Sequence, residues 1–251
     1  MSRVVILGSS NATSTPGHEN THMVIAGAQR MVLVDCGGNP LLRLEKAGFD
    51  FHRLTDVIIT HFHPDHVSGL PLLLMDMWLQ GRTSQLNVYG LQYTLDRVEQ
   101  MMGLFSWSEW PDFYPVAFHR ISLMEKVLIL DCPDFKVTGS PVRHFIPNLG
   151  IRFDFHESGR SLAYSCDTEP CEEVTRLAEG ADVLIHEATG EQAGHSSAAQ
   201  AAEIAMRANA ETLCLIHYPT GRFSNGDPVT EARGQFRRRI MLAHDFMELE
   251  L

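Results

Sequence analysis

The sequence predicts an α/β fold in which two β-sheets pack against each other and helices cover their outer faces. Apolar runs of strand length recur throughout the 251 residues. The early runs are spaced like hairpins, and later runs alternate with helical segments in both halves of the chain. No linker-like, low-complexity or heptad segment interrupts this pattern. Residues 1–251 are therefore predicted to form a single domain.

The elements of the N-terminal half are predicted from apolar runs bounded by glycine and polar turns. The predicted strands are Val4–Leu7, Met23–Ala26, Met31–Val34, Asp56–Thr60 and Leu86–Tyr89. The predicted helices are Pro40–Ala47, Leu70–Gln80 and Leu91–Met102. Glycine follows the first two helices closely, as is common at helix C-termini.

Residues 103–118 are rich in aromatic side chains and proline and predict no regular structure. Their aromatic side chains include Phe105, Trp107, Trp110, Phe113 and Tyr114. Two interpretations stay open for such a segment. It could form a lid or a substrate wall, or it could be a packed surface loop or a dimer contact.

The C-terminal half repeats the same plan without a detectable sequence repeat. Its predicted strands are Val127–Leu130, Phe135–Thr138, Leu162–Cys166, Val183–Ile185 and Leu213–Ile216. Its predicted helices are Glu172–Glu179 and Ser197–Asn209. The second helix should begin with a capping box, because Gln200 stands three positions after Ser197.

The formal net charge of -11 limits the kind of partner that the chain can bind. Such acidity argues against loose, non-specific nucleic-acid binding, because the phosphate backbone is repelled at long range. It does not exclude nucleic acid held at a local site with bound cations. One basic cluster is more typical of a solvated helix face or of carboxylate partners than of a phosphate patch. It consists of Arg233, Arg237, Arg238 and Arg239.

The cysteine pattern and the hydropathy indicate a cytoplasmic protein with no membrane association. The five cysteines are scattered and form no C-x-x-C motif, which fits a reducing compartment better than a disulfide scaffold. The apolar run within residues 1–10 is too short for the core of a signal sequence. No stretch is long enough to span a bilayer.

The motif His61-x-His63-x-Asp65-His66 directly follows a predicted strand and is the centre of the expected chemistry. In extended backbone, His61 and His63 point the same way because they are two residues apart. Pro64 favours the first turn of a helix for the two residues after it. Such a turn can aim the first pair at one metal ion and the second pair at another. This mixture of imidazole and carboxylate suits zinc, with manganese or iron also possible.

Three more candidate ligands follow apolar, strand-like runs: His144, Asp167 and His217. In α/β architectures, sites gather outside the carboxyl ends of strands. A lone histidine there is more often a satisfied core or surface residue than a ligand. Four strand ends that supply histidine or aspartate to one edge are hard to obtain by chance, so they predict a metal centre.

The order of these residues resembles the metallo-β-lactamase superfamily over nearly the whole chain, and more narrowly the ribonuclease Z group. The motifs that carry the narrower resemblance are Gly8-Ser9-Ser10, Pro16 with Asn20-Thr21, Asp35-Cys36-Gly37, Ser165-Cys166-Asp167-Thr168, His186-Glu187-Ala188-Thr189 and His195-Ser196-Ser197. The resemblance implies a four-layer αββα sandwich. It also implies a homodimer.

The resemblance further implies two divalent metal ions, with zinc as the first choice. The first would be held by His61, His63 and His144, the second by Asp65, His66 and His217, and Asp167 would bridge them. The implied activity is phosphodiester hydrolysis by a hydroxide that bridges the metals. The substrate would be the 3′ end of an RNA or a small phosphodiester such as a nucleotide.

Three residues are expected to take part in the reaction itself. Asp65 would orient the attacking water and could accept its proton. His195, aided by Glu187, would protonate the leaving oxygen. The alternative for His195 is a polar residue at a helix cap, and for Glu187 a buried carboxylate that fixes a loop or a metal-binding histidine. Among the remaining histidines, His18 is the best candidate for a substrate contact.

The sequence departs from the ribonuclease Z group in one respect. Short-form members carry a long tRNA-clamping arm between the third histidine and the bridging aspartate. Here His144 and Asp167 are close in sequence, and no arm fits between them. This puts precursor-tRNA cleavage in doubt more than it does phosphodiester hydrolysis.

Other functions remain open at this point. The main alternative is hydrolysis of another ester, such as an aryl sulfate, a lactone or a thioester. Glyoxalase and lactamase activities leave His195-Ser196-Ser197 without a role, and the di-iron proteins of this fold replace the residue at His63 with glutamate. A non-catalytic RNA-processing subunit usually has broken ligands, whereas all seven are present here.

Overall fold

The computed structural model describes residues 2–224 and 226–251. The strands are β1 (Arg3–Gly8), β2 (His22–Ala26), β3 (Met31–Val34), β4 (Asp56–Ile58), β5 (Leu86–Leu91), β6 (Val116–Ile121), β7 (Val127–Asp131), β8 (Phe135–Val142), β9 (Asn148–Phe155), β10 (Ser161–Tyr164), β11 (Val183–Glu187), β12 (Thr212–Ile216), β13 (Arg239–Leu242) and β14 (Glu248–Leu249). The α-helices are α1 (Pro40–Lys46), α2 (Pro64–Val67), α3 (Leu70–Leu79), α4 (Gln92–Leu104), α5 (Glu172–Leu177), α6 (Ala198–Arg207) and α7 (Pro228–Ala232).

The strands form two sheets of seven strands each. The first has the order β14-β1-β2-β3-β4-β5-β6, and the second the order β13-β12-β11-β10-β9-β8-β7. In the first sheet, the strands from β3 to β6 run parallel. In the second, the strands from β10 to β13 do. The carboxyl ends of parallel strands lie at one edge of a sheet, so each sheet offers one edge on which to build a site.

Apolar side chains fill three layers between and outside the sheets. In β1, Val4 and Ile6 face the core between the two sheets, whereas Val5 and Leu7 face the helices outside the first sheet. This alternation follows from the two-residue period of a strand. Outside the second sheet, the alanines of α6 are buried at helical spacing. The predicted four-layer αββα sandwich is confirmed.

Most predicted elements are present with ends shifted by a few residues, but the interpretation of residues 103–118 is wrong at both ends. Helix α4 continues to Leu104, and β6 begins at Val116 and pairs in parallel with β5. Between them, Trp107, Trp110 and Phe113 pack onto the helical side of the first sheet. The middle of the segment thus behaves as the packed surface loop that was one of its two interpretations.

Three strands in the C-terminal half of the chain were not predicted, and two of them lie at sheet edges. They are β9, β13 and β14. The basic cluster beside β13 is also only partly as expected, because its members do not share one helix. Arg239 opens β13, and Arg238 pairs with Glu211 at 3.0 Å, which is the carboxylate partner that was predicted.

Two further sequence observations have structural counterparts. All five cysteines are free thiols. Within residues 2–224 and 226–251, no helix is both long and apolar enough to cross a membrane.

Candidate metal centre

The seven predicted ligands converge at one rim, where loops leave the carboxyl ends of strands from both sheets. The loop after β4 carries His61 and His63 and leads into α2, which carries Asp65 and His66 in its single turn. The other three, His144, Asp167 and His217, follow β8, β10 and β12. Pro64 is the first residue of α2, as the sequence predicted.

The first group of donors consists of three imidazoles. The Nε2 atom of His61 and the Nδ1 atom of His63 are 3.0 Å apart. The Nε2 atom of His144 is 3.1 Å from the same Nδ1 atom. Because the ligand atoms of the three residues lie within 4.8 Å of one another, they could supply three of the four ligands of a tetrahedral metal site.

The second group combines two imidazoles with a carboxylate. The Oδ2 atom of Asp65 lies 3.3 Å from Nε2 of His66 and 3.4 Å from Nε2 of His217. Asp167 joins this group, with the ligand atoms of all four residues within 4.8 Å of one another.

Asp167 lies between the two groups. Its Oδ2 atom is 3.4 Å from Nε2 of His217, 3.5 Å from Nε2 of His66 and 3.9 Å from Nε2 of His61. One carboxylate oxygen therefore faces donors of both groups. This is the position that a bridging ligand between two cations requires.

The donor set fits a pair of cations by its unsatisfied atoms and its charge. Among the described residues, Oδ1 of Asp167 is buried without a hydrogen-bond partner, and Nε2 of His66 lies 3.3 and 3.5 Å from carboxylate oxygens without hydrogen-bond geometry. Such buried polar atoms are costly unless a ligand engages them. Burial alone would raise the pKa of Asp167, but the imidazoles of His217 and His66 outweigh it and hold that pKa below its ordinary value. The carboxylate is thus ionised and available to a cation.

The pKa values of the histidines differ between the two groups because burial and the nearby carboxylates act in opposite directions. Burial lowers the pKa of His61 well below its ordinary value, and it also lowers the pKa of His63 and of His144. For His66 burial also acts downward, but Asp167 and the other nearby carboxylates outweigh it and raise the pKa. The three-imidazole group therefore offers neutral nitrogens, the form that binds metals.

Four of the five candidate histidine ligands have a fixed partner on the ring nitrogen that faces away from the centre. Nδ1 of His66 contacts Oδ2 of Asp35 at 2.8 Å. The other three contacts are Nδ1 of His61 with Oγ1 of Thr60 at 3.1 Å, Nδ1 of His144 with the Gly194 carbonyl at 2.7 Å, and Nδ1 of His217 with Oγ1 of Thr189 at 2.9 Å. Such partners fix ring orientation and raise the basicity of metal-binding histidines.

Sequence reasoning missed these outer partners as a group. Asp35 had a readable signal, since it is an aspartate directly after β3, beside the strand that leads to the motif. It also accepts hydrogen bonds from the backbone and the hydroxyl of Thr60. Thr60, Thr189 and a glycine carbonyl have no distinguishing residue type, so only the fold reveals them.

The backbone is strained at three points around this rim. Asp35, Cys166 and His217 have φ values of 62°, 53° and 53°. For residues other than glycine this left-handed region is uncommon and costs on the order of 1 kcal/mol or more. All three directly follow, or nearly follow, a strand, so the chain is turned sharply where it delivers a side chain to the centre.

His195 pairs with the buried Glu187 beside the metal donors. Nδ1 of His195 donates to Oε1 of Glu187 at 2.9 Å. Glu187 also accepts from the backbone N–H groups of Thr168, Ser196 and Thr189. These bonds orient the imidazole so that its Nε2 atom can face the centre. A ring nitrogen of His195 lies within 4.8 Å of the donor atoms of His144 and Asp167.

The N-terminal loop contacts the segment that carries His217. The backbone N–H of His217 donates to the Ser9 carbonyl at 2.9 Å. The ring of His18 lies 6.2 Å from that of Tyr218, and its Nδ1 atom contacts Oγ of Ser9 at 2.9 Å. His18 is therefore held near the centre without belonging to either group of donors.

Fold and donor groups together define a metal-dependent hydrolase of the metallo-β-lactamase fold. Residues 30–218 match the family described as the β-lactamase superfamily domain, and the chain belongs to this superfamily.

Curated relatives of the chain include the ribonuclease Z proteins. That of Methanothermobacter thermautotrophicus is 27% identical over 307 aligned positions, which cover 100% of this chain and 97% of the relative. That of Picrophilus torridus is 28% identical, with 86% of this chain and 85% of the relative covered.

Solved structures that are similar over the full chain include the following two. Human tRNase Z, short form, has a TM-score of 0.81 at 27% identity, covering 100% of this chain and 99% of its own. The metallo-β-lactamase fold protein YhfI from Bacillus subtilis also has a TM-score of 0.81, at 21% identity, with 100% and 99% covered. The second likeness supports the fold alone.

Proposed function

We propose that this protein is a binuclear metal-dependent phosphodiesterase of the ribonuclease Z type, which processes RNA 3′ ends or hydrolyses a small phosphodiester. The observation that carries the proposal is the pair of donor groups that share Asp167. The ribonuclease Z relatives and the human tRNase Z structure support the phosphodiester class.

The two cations would be held as the donor geometry suggests. His61, His63 and His144 would hold the first, Asp65, His66 and His217 the second, and Asp167 both. When bound, the cations would activate a water molecule and neutralise the charge that develops on the phosphoryl oxygens. The donor chemistry favours zinc, with manganese or iron as alternatives.

The protein's own groups would orient the water and complete the proton transfers. The side chain of Asp65 is 10% exposed, so it can accept a hydrogen bond from the attacking water while it remains a ligand. His195 would protonate the leaving oxygen through Nε2, because its Nδ1–H is already committed to Glu187. Glu187, with no exposed surface, would stabilise the protonated imidazole.

The connection between His144 and Asp167 bears on substrate length. It consists of a short loop, β9, a turn and β10, which pair as an antiparallel hairpin. The alignment with the Methanothermobacter relative spans more positions than this chain has residues, so that relative carries additional residues within the matched length. A short or small phosphodiester therefore suits this chain at least as well as a precursor tRNA.

We extend the proposal to a cytoplasmic homodimer. The five free cysteines support a reducing compartment. Three exposed apolar side chains support a contact between copies: Leu79 ends α3, and Leu104 and Phe105 lie at the end of α4. Trp78, which precedes Leu79, stacks on Trp110 at 5.1 Å, and the Trp110 indole donates to the Phe105 carbonyl. Sedimentation velocity of the purified protein would test the dimer.

A substrate screen with metal-loaded protein tests the function. We expect turnover of bis(p-nitrophenyl) phosphate, and none of an aryl sulfate or a lactone above the level of the inactivated variant. A precursor tRNA with a 3′ trailer, assayed in parallel, separates RNA processing from small-substrate hydrolysis. Turnover of the sulfate or the lactone in place of the diester would refute the phosphodiesterase.

Asp167→Asn serves as the inactivated variant. We expect it to lose metal, measured by elemental analysis, and to lower turnover by about 100-fold or more, since even outer partners of metal ligands change affinity by 10–100-fold. Asp131→Asn is the matched control, because Asp131 is 57% exposed and pairs with Lys136 near the start of β8, the end opposite the rim. A fully active Asp167→Asn protein with its normal metal content would contradict the bridging role.

A further inference from the structure

Phe145 is a large apolar side chain exposed beside the metal centre. It directly follows the candidate ligand His144 and is 63% exposed. The rings that it contacts are the imidazoles of His144 and His195, so hydrophobic burial does not explain why phenylalanine stands there. An exposed apolar side chain next to a site of chemistry is a candidate binding surface.

The ring of Phe145 is held in place from one side. Its centroid lies 5.0 Å from that of His144 and 6.1 Å from that of His195, at interplanar angles of 59° and 69°. A Cβ atom added at Gly194 would come within 2.6 Å of the ring, so the ring rests directly on this glycine backbone. The ring is thus positioned by edge contacts and by Gly194, and its outer side is free for another planar group.

The position of His195 indicates which part of a substrate would contact the Phe145 ring. In the proposed function, on which this inference rests, His195 protonates the oxygen of the leaving group. Phe145 contacts His195 and therefore lies on the leaving-group side of the phosphate. On that side, a nucleotide substrate carries a sugar and a base.

The same loop leads toward an open groove. Pro147, two residues after Phe145, lines a cavity of about 350 Å³ together with Tyr93, Arg120 and Ser122. Substrate groups beyond the first nucleoside would have space in this direction.

We propose that Phe145 is a specificity residue that stacks on the base, or on an equivalent aromatic ring, of the leaving group. Bases stack on exposed aromatic side chains without strict sequence preference, which suits a site that selects nucleotides over other diesters. The stacking surface is supplied by the residue next to a ligand, so it places the scissile phosphate relative to the metals.

A pair of dinucleotides tests the stacking in turnover. One carries a base on the leaving-group nucleoside, and the other is abasic at that position. We expect Phe145→Ala to lower kcat/KM for the first by about 10-fold, the usual size of one base–aromatic contact, and to leave the second unchanged. Phe145→Trp should retain the wild-type value, whereas Phe145→Leu should behave like the alanine variant. The control is Leu128→Ala, because Leu128 is 54% exposed in β7, at the edge of the second sheet.

A binding measurement in metal-free protein, which is expected not to hydrolyse the dinucleotides, tests the stacking without turnover. Two isomeric dinucleotides are used, each with one 2-aminopurine, which lies on one side of the phosphate in the first isomer and on the other side in the second. Stacking on an aromatic ring quenches the fluorescence of 2-aminopurine. We expect quenching with the isomer whose modified nucleoside is released as the leaving group, and loss of that quenching in Phe145→Ala.

The outcomes separate this inference from the function on which it rests. If the wild type hydrolyses both dinucleotides and Phe145→Leu behaves like the wild type, the ring only covers Gly194, and the stacking proposal is wrong. Equal losses on both dinucleotides would also overturn it, because they indicate a disturbed centre. If the wild type cleaves no phosphodiester, the proposed function fails, and quenching that depends on Phe145 would still establish a base-binding ring.

Discussion

His195 and four of the five candidate histidine ligands divide their two ring nitrogens between different tasks. For His66, Nε2 faces the carboxylates of the centre and Nδ1 is held by Asp35. For His195, Nδ1 is held by Glu187, which leaves Nε2 for the substrate. Nδ1 is held by a carboxylate in both rings, so the surroundings of Nε2, and not the committed nitrogen, distinguish the proposed metal ligand from the proposed proton donor.

The role of His195 predicts a dependence on the leaving group. His195→Ala should lower kcat for a diester with an alkyl leaving group by about 100-fold or more, the usual contribution of a general acid. Turnover of a p-nitrophenyl diester should fall much less, because nitrophenolate leaves without a proton. Steady-state kinetics with both substrates would show this. His156→Ala, at an exposed position, is the control, and equal losses on both substrates would exclude the acid role.

His22 predicts how acid affects stability. Burial is the main cause that lowers its pKa from 6.5 to about 4. Between these pH values His22 binds a proton in the unfolded chain but not in the folded chain. The contribution of His22 to the free energy of unfolding is therefore fully present above pH 6.5 and falls as the pH drops toward 4. The expected loss is about 1.4 kcal/mol per pH unit in this window.

Urea denaturation of metal-free wild type and His22→Gln across this range measures the effect. The free energy of unfolding should depend less steeply on pH in the variant. Parallel curves for the two proteins would mean that His22 does not titrate in this way.

At the residue scale, the sequence predicted the donors better than their supports. The seven candidate ligands are histidines and aspartates at strand ends, and the fold brings all of them together. Thr60, Thr189 and the Gly194 carbonyl could not be predicted, because a hydroxyl or a carbonyl gains its role only from the neighbour it meets.

At the scale of elements, helix α6 connects stability to the site. The Ser197 hydroxyl accepts a hydrogen bond from the Gln200 backbone N–H, and Oε1 of Gln200 accepts one from the Ser197 backbone N–H. This capping box was predicted and is confirmed. It fixes the turn in which His195 and Ser196 meet Glu187.

Ser197→Ala should lower the free energy of unfolding by about 1 kcal/mol, the usual cost of a lost N-cap. Urea denaturation of the metal-loaded protein measures the change. Ser158→Ala, in the turn between β9 and β10, is the control and should have little effect. An unchanged stability in Ser197→Ala would mean that the cap contributes nothing.

Strand β9 shows why some elements escaped prediction. Its buried residues Leu149, Ile151, Phe153 and Phe155 alternate with Gly150, Arg152 and Asp154. The two-residue period was present, but the interspersed glycine and charges leave no continuous apolar run. Strand β6 was obscured by the aromatic and proline residues before it, which suggested irregular structure.

At the scale of the whole molecule, each group of donors draws on both sheets. His61 and His63 follow a strand of the first sheet, whereas His144 follows a strand of the second. The same holds for Asp65 and His66 on one side and His217 on the other. A cation bound to either group would therefore connect the two layers, and the bound metals should stabilise the fold.

Removal of metal by a chelator should lower Tm, since a ligand at 1,000 times its Kd contributes about 4 kcal/mol to the folded state. Scanning calorimetry with and without EDTA measures the shift. Asp167→Asn should show little change on addition of EDTA, because it is expected to hold little metal. A wild type with the same Tm under both conditions would rule out metals that connect the sheets.

The construction of the rim from both layers has a consequence for residues far from it. The distances between His63 and His144, and between Asp65 and His217, are set by how closely the two sheets approach. That approach is decided by rings such as Phe135 and Phe153, which fill the space between them. The packing between the sheets thus sets the spacing of the reactive groups. A methylene gained or lost in that packing changes the distances between the donors at the rim.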